Sequence, residues 1–500
     1  MAEIFSALIN SRRRFAIYLE GLVGAPSEQI ILITTMAAAI PFSLLNYLIK
    51  GHRNRLLYSL IVGIIFHISI YGYKSLHTIF STFTTYFFLY FYGRKFSPSY
   101  ILIGVILHLS ILNIHRMFFD FGGWAIDDVS TIYMVYVAKY SSFAFSYHDG
   151  GKDISEIKSQ HLQKQRIVEL PSLLEYASYI YFYPTTIVGP FIEYKDFINF
   201  IDLTDCYANL SKNLGYIFYQ GTEKLLLGIF YIIFFALFGD KYPMFAVGKA
   251  DLREIYPYFW QRLVYMYLCG PVGRAKYYVA WLLTYSSLIF SGMSYGESID
   301  KNTGKIVRDV DKGSYGSILY NEFGMNPTEK MRYWNNSIHN WLKYNVYVRV
   351  LGSKTIFRNN KVIAAFCTYI LSAIWHGFYP SYYVSFFMIY LFEQDAIFLN
   401  DIGFYDFAEK NLLINIFAVL KTTFFYDIIG SIFYCLEIGT TKEILINYKG
   451  LPVNAIVSFY VFTLIYRFFF MKGKKEKAKD GKVETVRELN EKDQKDKKMG

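Results

Sequence analysis

Cysteine is scarce in this chain, with only four in 500 residues. The four form no CxxC pair and stand mostly inside apolar runs: Cys206, Cys269, Cys367 and Cys435. Disulfide frameworks and zinc sites need clustered cysteines, so both are excluded and the thiols are predicted to be free and buried. No spacing of His, Cys and Asp suggests another metal site. We therefore expect no metal and no cofactor.

Charged side chains are also few, at 18% of the chain, although the net charge is +11. The positive charge lies in short connections and in the C-terminal tail, not on one basic face. Proteins that bind nucleic acid gather Lys and Arg on such a face. The distribution therefore argues against nucleic acid as a partner.

Hydrophobic residues make up 54% of the chain and gather in long runs with few charges. The clearest runs are 29–49, 56–70, 75–91, 100–114, 225–238, 362–378, 382–399, 412–435 and 451–471. Weaker runs, richer in Tyr and Ser, are 129–147, 173–189, 255–269 and 276–293. A helix of roughly 20 apolar residues spans a bilayer, and hydrocarbon leaves no backbone amide unpaired. We predict an all-α polytopic membrane protein with about eleven membrane helices, or up to about thirteen if the weaker runs cross.

The runs divide the chain into three parts. Residues 1–28 form an N-terminal segment, residues 29–471 form the membrane domain, and residues 472–500 form a basic, mixed-charge tail that is predicted to be disordered. Lysines directly after the last run favour a cytosolic tail. The ending Lys497-Lys498-Met499-Gly500 is similar to the dilysine signal that returns membrane proteins to the endoplasmic reticulum. We expect a multi-pass protein of that membrane, the alternative being that the two lysines fall there by chance.

His376 is the most informative residue, because it stands in the otherwise mostly apolar run 366–380. An ionisable ring at membrane depth is costly to bury, so such residues are usually functional. Histidine is also the side chain best suited to transferring a proton near neutral pH. The alternative is a core histidine that hydrogen-bonds a carbonyl on a neighbouring helix. The run favours a functional histidine.

Residues 326–349 predict a helix that is too polar to span a membrane. Asn326 is a helix N-cap and Pro327 follows at the first helical position. The positions on one helical stripe are Met331, Trp334, Asn335, Ile338, Trp341, Leu342 and Asn345. Such a helix lies at the membrane interface or inside the protein. Asn335 on this stripe needs a ligand or, alternatively, a helix carbonyl as its partner.

Five segments together resemble the membrane-bound O-acyltransferases. Residues 334–343 (Trp-Asn-Asn-Ser-Ile-His-Asn-Trp-Leu-Lys) resemble that family's asparagine motif, and residues 372–383, with Trp-His-Gly-Phe-Tyr-Pro at 375–380, resemble its histidine motif. Three further segments are similar to the lysophospholipid acyltransferase branch: residues 139–150, 181–194 and 274–281. All five occur in the family's order between about residues 128 and 383.

The resemblance implies an all-helical membrane fold around an intramembrane reaction chamber, with His376 and Asn335 at its centre. It implies that acyl-CoA enters from the cytosol and that a lysophospholipid enters through the bilayer, among membrane lipids. A fatty acyl chain would pass from acyl-CoA to the free hydroxyl of the lysophospholipid, giving a diacyl phospholipid.

Chemistry suggests the roles in such a transfer. His376 would take the hydroxyl proton as the oxygen attacks the thioester, and Asn335 would donate to the developing oxyanion or align the acyl donor. His339 is a rival base, but its neighbours are polar. No covalent acyl-enzyme is needed.

Substrate contacts are expected around these two residues. Candidates for the CoA phosphates are Arg274, Lys276, Arg332 and Lys343, with positive-inside anchoring as the alternative. Candidates for the acyl or adenine path are Tyr277, Tyr278, Trp281, Trp334 and Trp341, with aromatic packing as the alternative.

Two other functions fit parts of the pattern. Acylation of a protein or a sterol would be an activity within the same family, but the segments at 188–190 and 276–278 argue against such an acceptor. A secondary transporter would be another class, yet the two halves of the chain show no internal repeat in hydropathy.

Overall fold

The computed structural model describes residues 14–21, 26–119, 128–300, 303–353 and 358–470. The tail at 472–500 and its dilysine ending lie outside these ranges, as does most of the N-terminal segment.

Helices make up most of the described structure, which confirms the all-α prediction. The first half contains α1 (14–21), α2 (Ser27–Leu45), α3 (His52–Tyr71), α4 (Leu76–Tyr92), α5 (Ser99–Phe119), α6 (Val129–Asp149), α7 (Gln160–Lys164), α8 (Leu173–Ile180), α9 (Tyr194–Asp202), α10 (Leu214–Phe238), α11 (Leu252–Ile255) and α12 (Phe259–Phe290). The second half contains α13 (Ile318–Phe323), α14 (Pro327–Tyr333), α15 (Asn336–Leu342), α16 (Val348–Leu351), α17 (Lys361–His376), α18 (Pro380–Asp401), α19 (Phe404–Glu409), α20 (Leu412–Cys435), α21 (Ile438–Asn447) and α22 (Leu451–Phe470). A π-turn at Lys343–Tyr347 joins α15 to α16.

One small sheet interrupts the helices. Strands β1 (Gly296–Ile299) and β2 (Ile306–Asp309) pair antiparallel, with Gly296 opposite Asp309 and Ile299 opposite Ile306. The hairpin follows α12 directly and is largely exposed. It lies outside the two helical cores.

Five helical stretches in the described ranges are long and apolar enough to cross a membrane, or six if a pair bent by 86° is one span. One of the five, His52–Tyr92, holds both α3 and α4. The 16-residue α17 is apolar but shorter than a full span. The protein is therefore a multi-pass membrane protein, and the count of about eleven membrane helices stays a prediction.

Three of the weaker runs differ from the prediction. Runs 255–269 and 276–293 lie largely on one 32-residue helix, α12, which continues through Pro271. Run 173–189 is not one helix, because α8 ends at Ile180 and a 3-10 turn at Tyr183–Thr185 follows. Pro184 favours this break, since proline disrupts a helix interior.

The two largest parts of the core are connected by α12. The first surrounds α6, of which 19 of 21 residues are buried, with α3, α4, α5 and α8 packed around it. The second lies between the start of α12, α18 and α20. The end of α12 belongs to the first core and its start to the second, so this helix fixes the two parts relative to each other.

Candidate active site

His376 is the last residue of α17 and lies at a tight reversal of the chain. Gly377 caps the helix with φ 127°, and its N–H donates to the carbonyls of Ala373 and Ile374, both at 3.1 Å. Pro380 then starts α18 at the first helical position. Glycine suits position 377 because L side chains rarely adopt this φ. The imidazole is thus held at the junction of two helices.

Aromatic rings surround this imidazole. The ring of His376 stacks on Phe386 at 5.2 Å between centroids and meets the edge of Phe433 at 5.0 Å, with Tyr382 at 5.7 Å. The side chain is half-buried, and its Nδ1 is buried without a hydrogen-bond partner in the described ranges. The predicted alternative, a ring bonded to a helix carbonyl, is therefore not what the structure places here.

Asn335 lies at a break in the segment that was predicted to be one continuous helix. The helix α14 ends at Tyr333, Asn335 adopts the left-handed conformation with φ 53°, and α15 begins at Asn336. Asparagine tolerates this conformation better than most residues. The carbonyl of Asn335 accepts from the N–H of Ile338 at 3.1 Å and of His339 at 3.0 Å, which starts the new helix.

The side chain of Asn335 keeps a donor available. Its Oδ1 accepts from the hydroxyl of Ser337 at 3.2 Å. Its Nδ2 makes no hydrogen bond with the described part of the chain and is not among the buried atoms. The carboxamide is oriented by one hydrogen bond and can donate another.

Two tryptophans attach both motifs to one face of α6. Trp375 donates its indole N–H to the carbonyl of Met134 at 2.9 Å, and Trp341 donates to the hydroxyl of Ser141 at 2.9 Å. Met134 and Ser141 are seven residues apart, which is two turns along the same helix face. The two indoles are 5.9 Å apart. The asparagine and histidine segments are thereby held side by side.

A wall from α12 and α20 extends between the two segments. Trp334 contacts Trp281 at 4.7 Å and Tyr277 at 5.5 Å between centroids. The ammonium of Lys276 lies over the ring of Tyr434 and contacts its hydroxyl. Tyr434 follows Phe433, which contacts His376. Half-buried residues thus lead from Trp334 to the imidazole along α12 and α20.

The family model for membrane-bound O-acyltransferases matches residues 88–394. The chain belongs to the membrane-bound O-acyltransferase family. This confirms the resemblance, and the matched region includes both motif segments.

Several relatives of this membrane-bound O-acyltransferase are named lysophospholipid acyltransferases, which agrees with the predicted branch. The chain is 29% identical over 442 residues to "Lysophospholipid acyltransferase" of Saccharomyces cerevisiae, covering 80% of this chain and 66% of the relative. It is 27% identical to the protein of the same name from Schizosaccharomyces pombe, over 74% of this chain and 71% of the relative. It is 26% identical to "Lysophospholipid acyltransferase 6" of Drosophila melanogaster, over 75% of this chain and 52% of the relative. The chain thus covers less than two thirds of the length of the budding yeast and Drosophila relatives.

Three residues of this membrane-bound O-acyltransferase that were predicted to contact substrate instead bind other residues inside the protein. The guanidinium of Arg274 is buried between Glu322, at 2.5 Å and 2.8 Å, and Asp427. Tyr278 is buried and donates to Glu322 at 2.7 Å. Trp341 is fully buried and bound to α6. The structure therefore favours packing for these three, since their polar atoms are engaged inside the protein.

The remaining basic candidates lie at different places. Lys276 belongs to the wall described above, next to Tyr434. Arg332 lies over the ring of Tyr333 on α14, and Lys343 lies over the ring of Tyr344 in the π-turn. All three are half-buried. Of the three, only Lys276 belongs to the wall between the motif segments.

A buried ionic network was missed by the sequence reasoning. Around Arg274 it contains Glu322, Asp427 and Lys330, whose ammonium donates to Thr423 at 3.0 Å. Burial, and then the positive charge of Arg274, lowers the pKa of Lys330 to about 8. Asp427 stands in the apolar run 412–435, and an acid at that depth was the signal that could have revealed the network.

No three His, Cys, Asp or Glu side chains lie close enough to hold a metal ion among the residues that the structure describes. What the arrangement offers is a half-buried imidazole, an oriented carboxamide and an aromatic wall. These groups suit proton transfer and polarisation of a carbonyl.

Proposed function

We propose that this chain transfers a fatty acyl chain from acyl-CoA to the free hydroxyl of a lysophospholipid. One observation carries the proposal: the asparagine and histidine segments are attached side by side to one face of α6 by Trp341 and Trp375. The names of the relatives support the lysophospholipid as the acceptor.

His376 acts as the general base. An alcohol is a poor nucleophile at neutral pH because it keeps its proton. The imidazole takes this proton while the hydroxyl oxygen forms a bond to the thioester carbonyl carbon, a contribution of about 10²- to 10⁴-fold in rate. The aromatic rings around His376 hold the ring and keep bulk water away, which favours acyl transfer over hydrolysis.

Asn335 stabilises the charge that develops on the carbonyl oxygen. Its Nδ2 has no partner in the described part of the chain, while Ser337 orients the carboxamide through Oδ1. A donor fixed in advance at a developing oxyanion lowers the barrier. When the tetrahedral centre collapses, the C–S bond breaks and CoA leaves as a thiolate or takes the proton from the imidazolium. The ester product and free CoA balance the reaction.

Lys276, Tyr277 and Trp334 are proposed to line the path of the acyl donor. Lys276 is a half-buried cation on the wall between the two segments, which suits an anionic donor such as CoA. Tyr277 and Trp334 pack edge to face beside it. Arg332 and Lys343 remain candidates for the CoA phosphates nearer the surface.

An assay with membranes that contain the protein tests the reaction class and the acceptor together. Radiolabelled oleoyl-CoA is supplied with a panel of lysophospholipids, and wild type is compared with His376→Ala. We expect labelled diacyl phospholipid from wild type and a loss of about 10²- to 10⁴-fold in the variant. His77→Ala is the control, because His77 also stands in an apolar run, 75–91, but is exposed on α4.

Two results would reject the proposal. Full acyl transfer by His376→Ala would remove the assigned base. Absence of transfer to every lysophospholipid by the wild type, with uptake of a solute or acylation of a protein or sterol instead, would point to one of the alternatives.

A further inference from the structure

The buried junction between α5 and the end of α17 carries polar atoms that the mechanism above does not use. Asn113 on α5 is 1% exposed, and neither its Oδ1 nor its Nδ2 has a hydrogen-bond partner in the part of the chain that is described. A buried carboxamide without hydrogen bonds destabilises the folded state. Packing alone therefore leaves the donor and the acceptor of Asn113 available to a further partner.

Asn113 lies directly against the backbone that follows His376. A Cβ at position 377 would be 3.4 Å from its Cγ and 3.5 Å from its Nδ2. Arg116, one turn further along α5, would be 3.6 Å from the same point through its Nη2. Its Nη1 contacts Asp128 Oδ2 at 3.3 Å. The junction thus combines the carboxamide, a buried ion pair and the end of the histidine helix.

The chemistry of His376 requires such a neighbour. A neutral imidazole carries one N–H and one lone pair. If Nε2 is to accept the proton of the hydroxyl, Nδ1 must carry the hydrogen, and a buried N–H needs an acceptor. Nδ1 of His376 is buried without a partner in the described ranges, and the rings of Phe386 and Phe433 offer none.

We propose that Asn113 is a positioning residue for His376. Its Oδ1 accepts a hydrogen bond from Nδ1–H of His376, directly or through one water, and thereby leaves Nε2 facing the acceptor hydroxyl. The guanidinium of Arg116, which pairs with Asp128, borders the same point beside Gly377 as the carboxamide. This inference rests on the proposed acyl transfer.

Two variants of Asn113 in the same acyl-transfer assay test the inference. Asn113→Leu removes the acceptor at similar volume, and we expect kcat to fall about 10- to 100-fold, as for other residues that orient a functional histidine. The KM for oleoyl-CoA should not change. The apparent melting temperature should hold or rise, because an unpartnered polar group has been replaced by an apolar one.

The second variant, Asn113→Asp, has a pH signature. A carboxylate beside the imidazole favours its protonated form, so a higher pH is needed to free the base. We expect the rising acidic limb of the pH–rate profile to move to higher pH. Asn46→Leu is the matched control, since Asn46 is also 1% exposed with an unpartnered Oδ1 in the described part but lies beyond the end of α2. Its kcat and pH profile should match those of wild type.

Two outcomes would overturn the role of Asn113 while wild type is active. One is an unchanged kcat and pH profile in both Asn113 variants, particularly if Tyr382→Phe lowers kcat instead. The other is a parallel drop of activity and melting temperature in Asn113→Leu, which would make the residue structural. A wild type that is inactive in the acyl-transfer assay would reject the proposed function itself. The wild-type measurement alone shows this outcome, so it is distinguishable from a failure of the role of Asn113.

Discussion

At the scale of single residues, Asn335 combines a backbone role with a chemical one. Its φ of 53° is strained for most side chains but accessible to asparagine and glycine. The same position leaves its Nδ2 without a partner among the described residues, next to the aromatic wall that begins at Trp334. A helix break and an oriented donor thus come from one residue.

Asn335→Gly separates these two roles. Glycine adopts the left-handed conformation without strain but has no donor. We expect correct folding, judged by the elution profile in detergent, and a loss of about 10²- to 10³-fold in kcat, as for removal of an oxyanion donor. Asn336→Ala is the control, because its Oδ1 only accepts from Asn340 at 3.4 Å. Near-normal activity of Asn335→Gly would mean that only the backbone conformation matters.

At the scale of elements, the ionic network of Arg274 fastens α12 to α13 and α20. Arg274 lies on α12, Glu322 on α13 and Asp427 on α20. Asp427 is fully buried, and Glu322 and Arg274 are nearly so. Removing one member of a buried pair leaves uncompensated charge, whereas exposed pairs contribute little. The network therefore holds in place the helices that form the wall of the site.

Arg274→Met tests this structural role. Two buried carboxylates would lose their shared cation, so we expect destabilisation by about 3–5 kcal/mol, measured as a lower melting temperature in detergent. Arg253→Met should cost no more than about 1 kcal/mol, because the Arg253–Glu443 pair at 3.2 Å is 38% and 31% exposed. If Arg274→Met is as stable as wild type and only its KM for acyl-CoA is raised, Arg274 contacts the substrate and the structural role is wrong.

At the scale of the whole molecule, the long α12 decides where the site lies. Its start packs in the core with α18 and α20, and its end packs in the core around α6. Lys276 and Tyr277, in the middle of this helix, therefore lie between Trp334 of the asparagine segment and Tyr434 of α20, whose neighbour Phe433 contacts His376.

Replacing Lys497 and Lys498 with alanine tests the cellular location. The lysine-rich sequence after the last helix favours a cytosolic C-terminus, and a dilysine ending is read only on that side. If the dilysine ending acts as a retrieval signal, we expect this chain, tagged at its N-terminus, to be found in the endoplasmic reticulum and the variant to move onward in the secretory pathway. Replacing Lys474 and Lys475 is the control for lost charge. An unchanged location in the variant would mean that the ending is not the signal.

The sequence by itself determined the elements and the two motifs. Run 412–435 became α20 with the same bounds, and Asn326 with Pro327 marked the start of α14. These features are local, because hydropathy and capping depend on neighbours within one or two turns. His376 and Asn335 could be recognised for the same reason, because His376 stands in a mostly apolar run and Asn335 on a helical stripe of mostly apolar positions.

Only the tertiary structure decided which of the candidate residues meet. Arg274 matched a motif, yet its partners are 48 and 153 positions away in the chain, on α13 and α20. Phe433 and Tyr434 stood in an apolar run without a distinguishing signal, and the polar Asn113 in run 100–114 gave no indication of its partner; all three lie against the two motifs through packing alone. Contacts between distant segments depend on how helices pack in three dimensions, which no local pattern encodes.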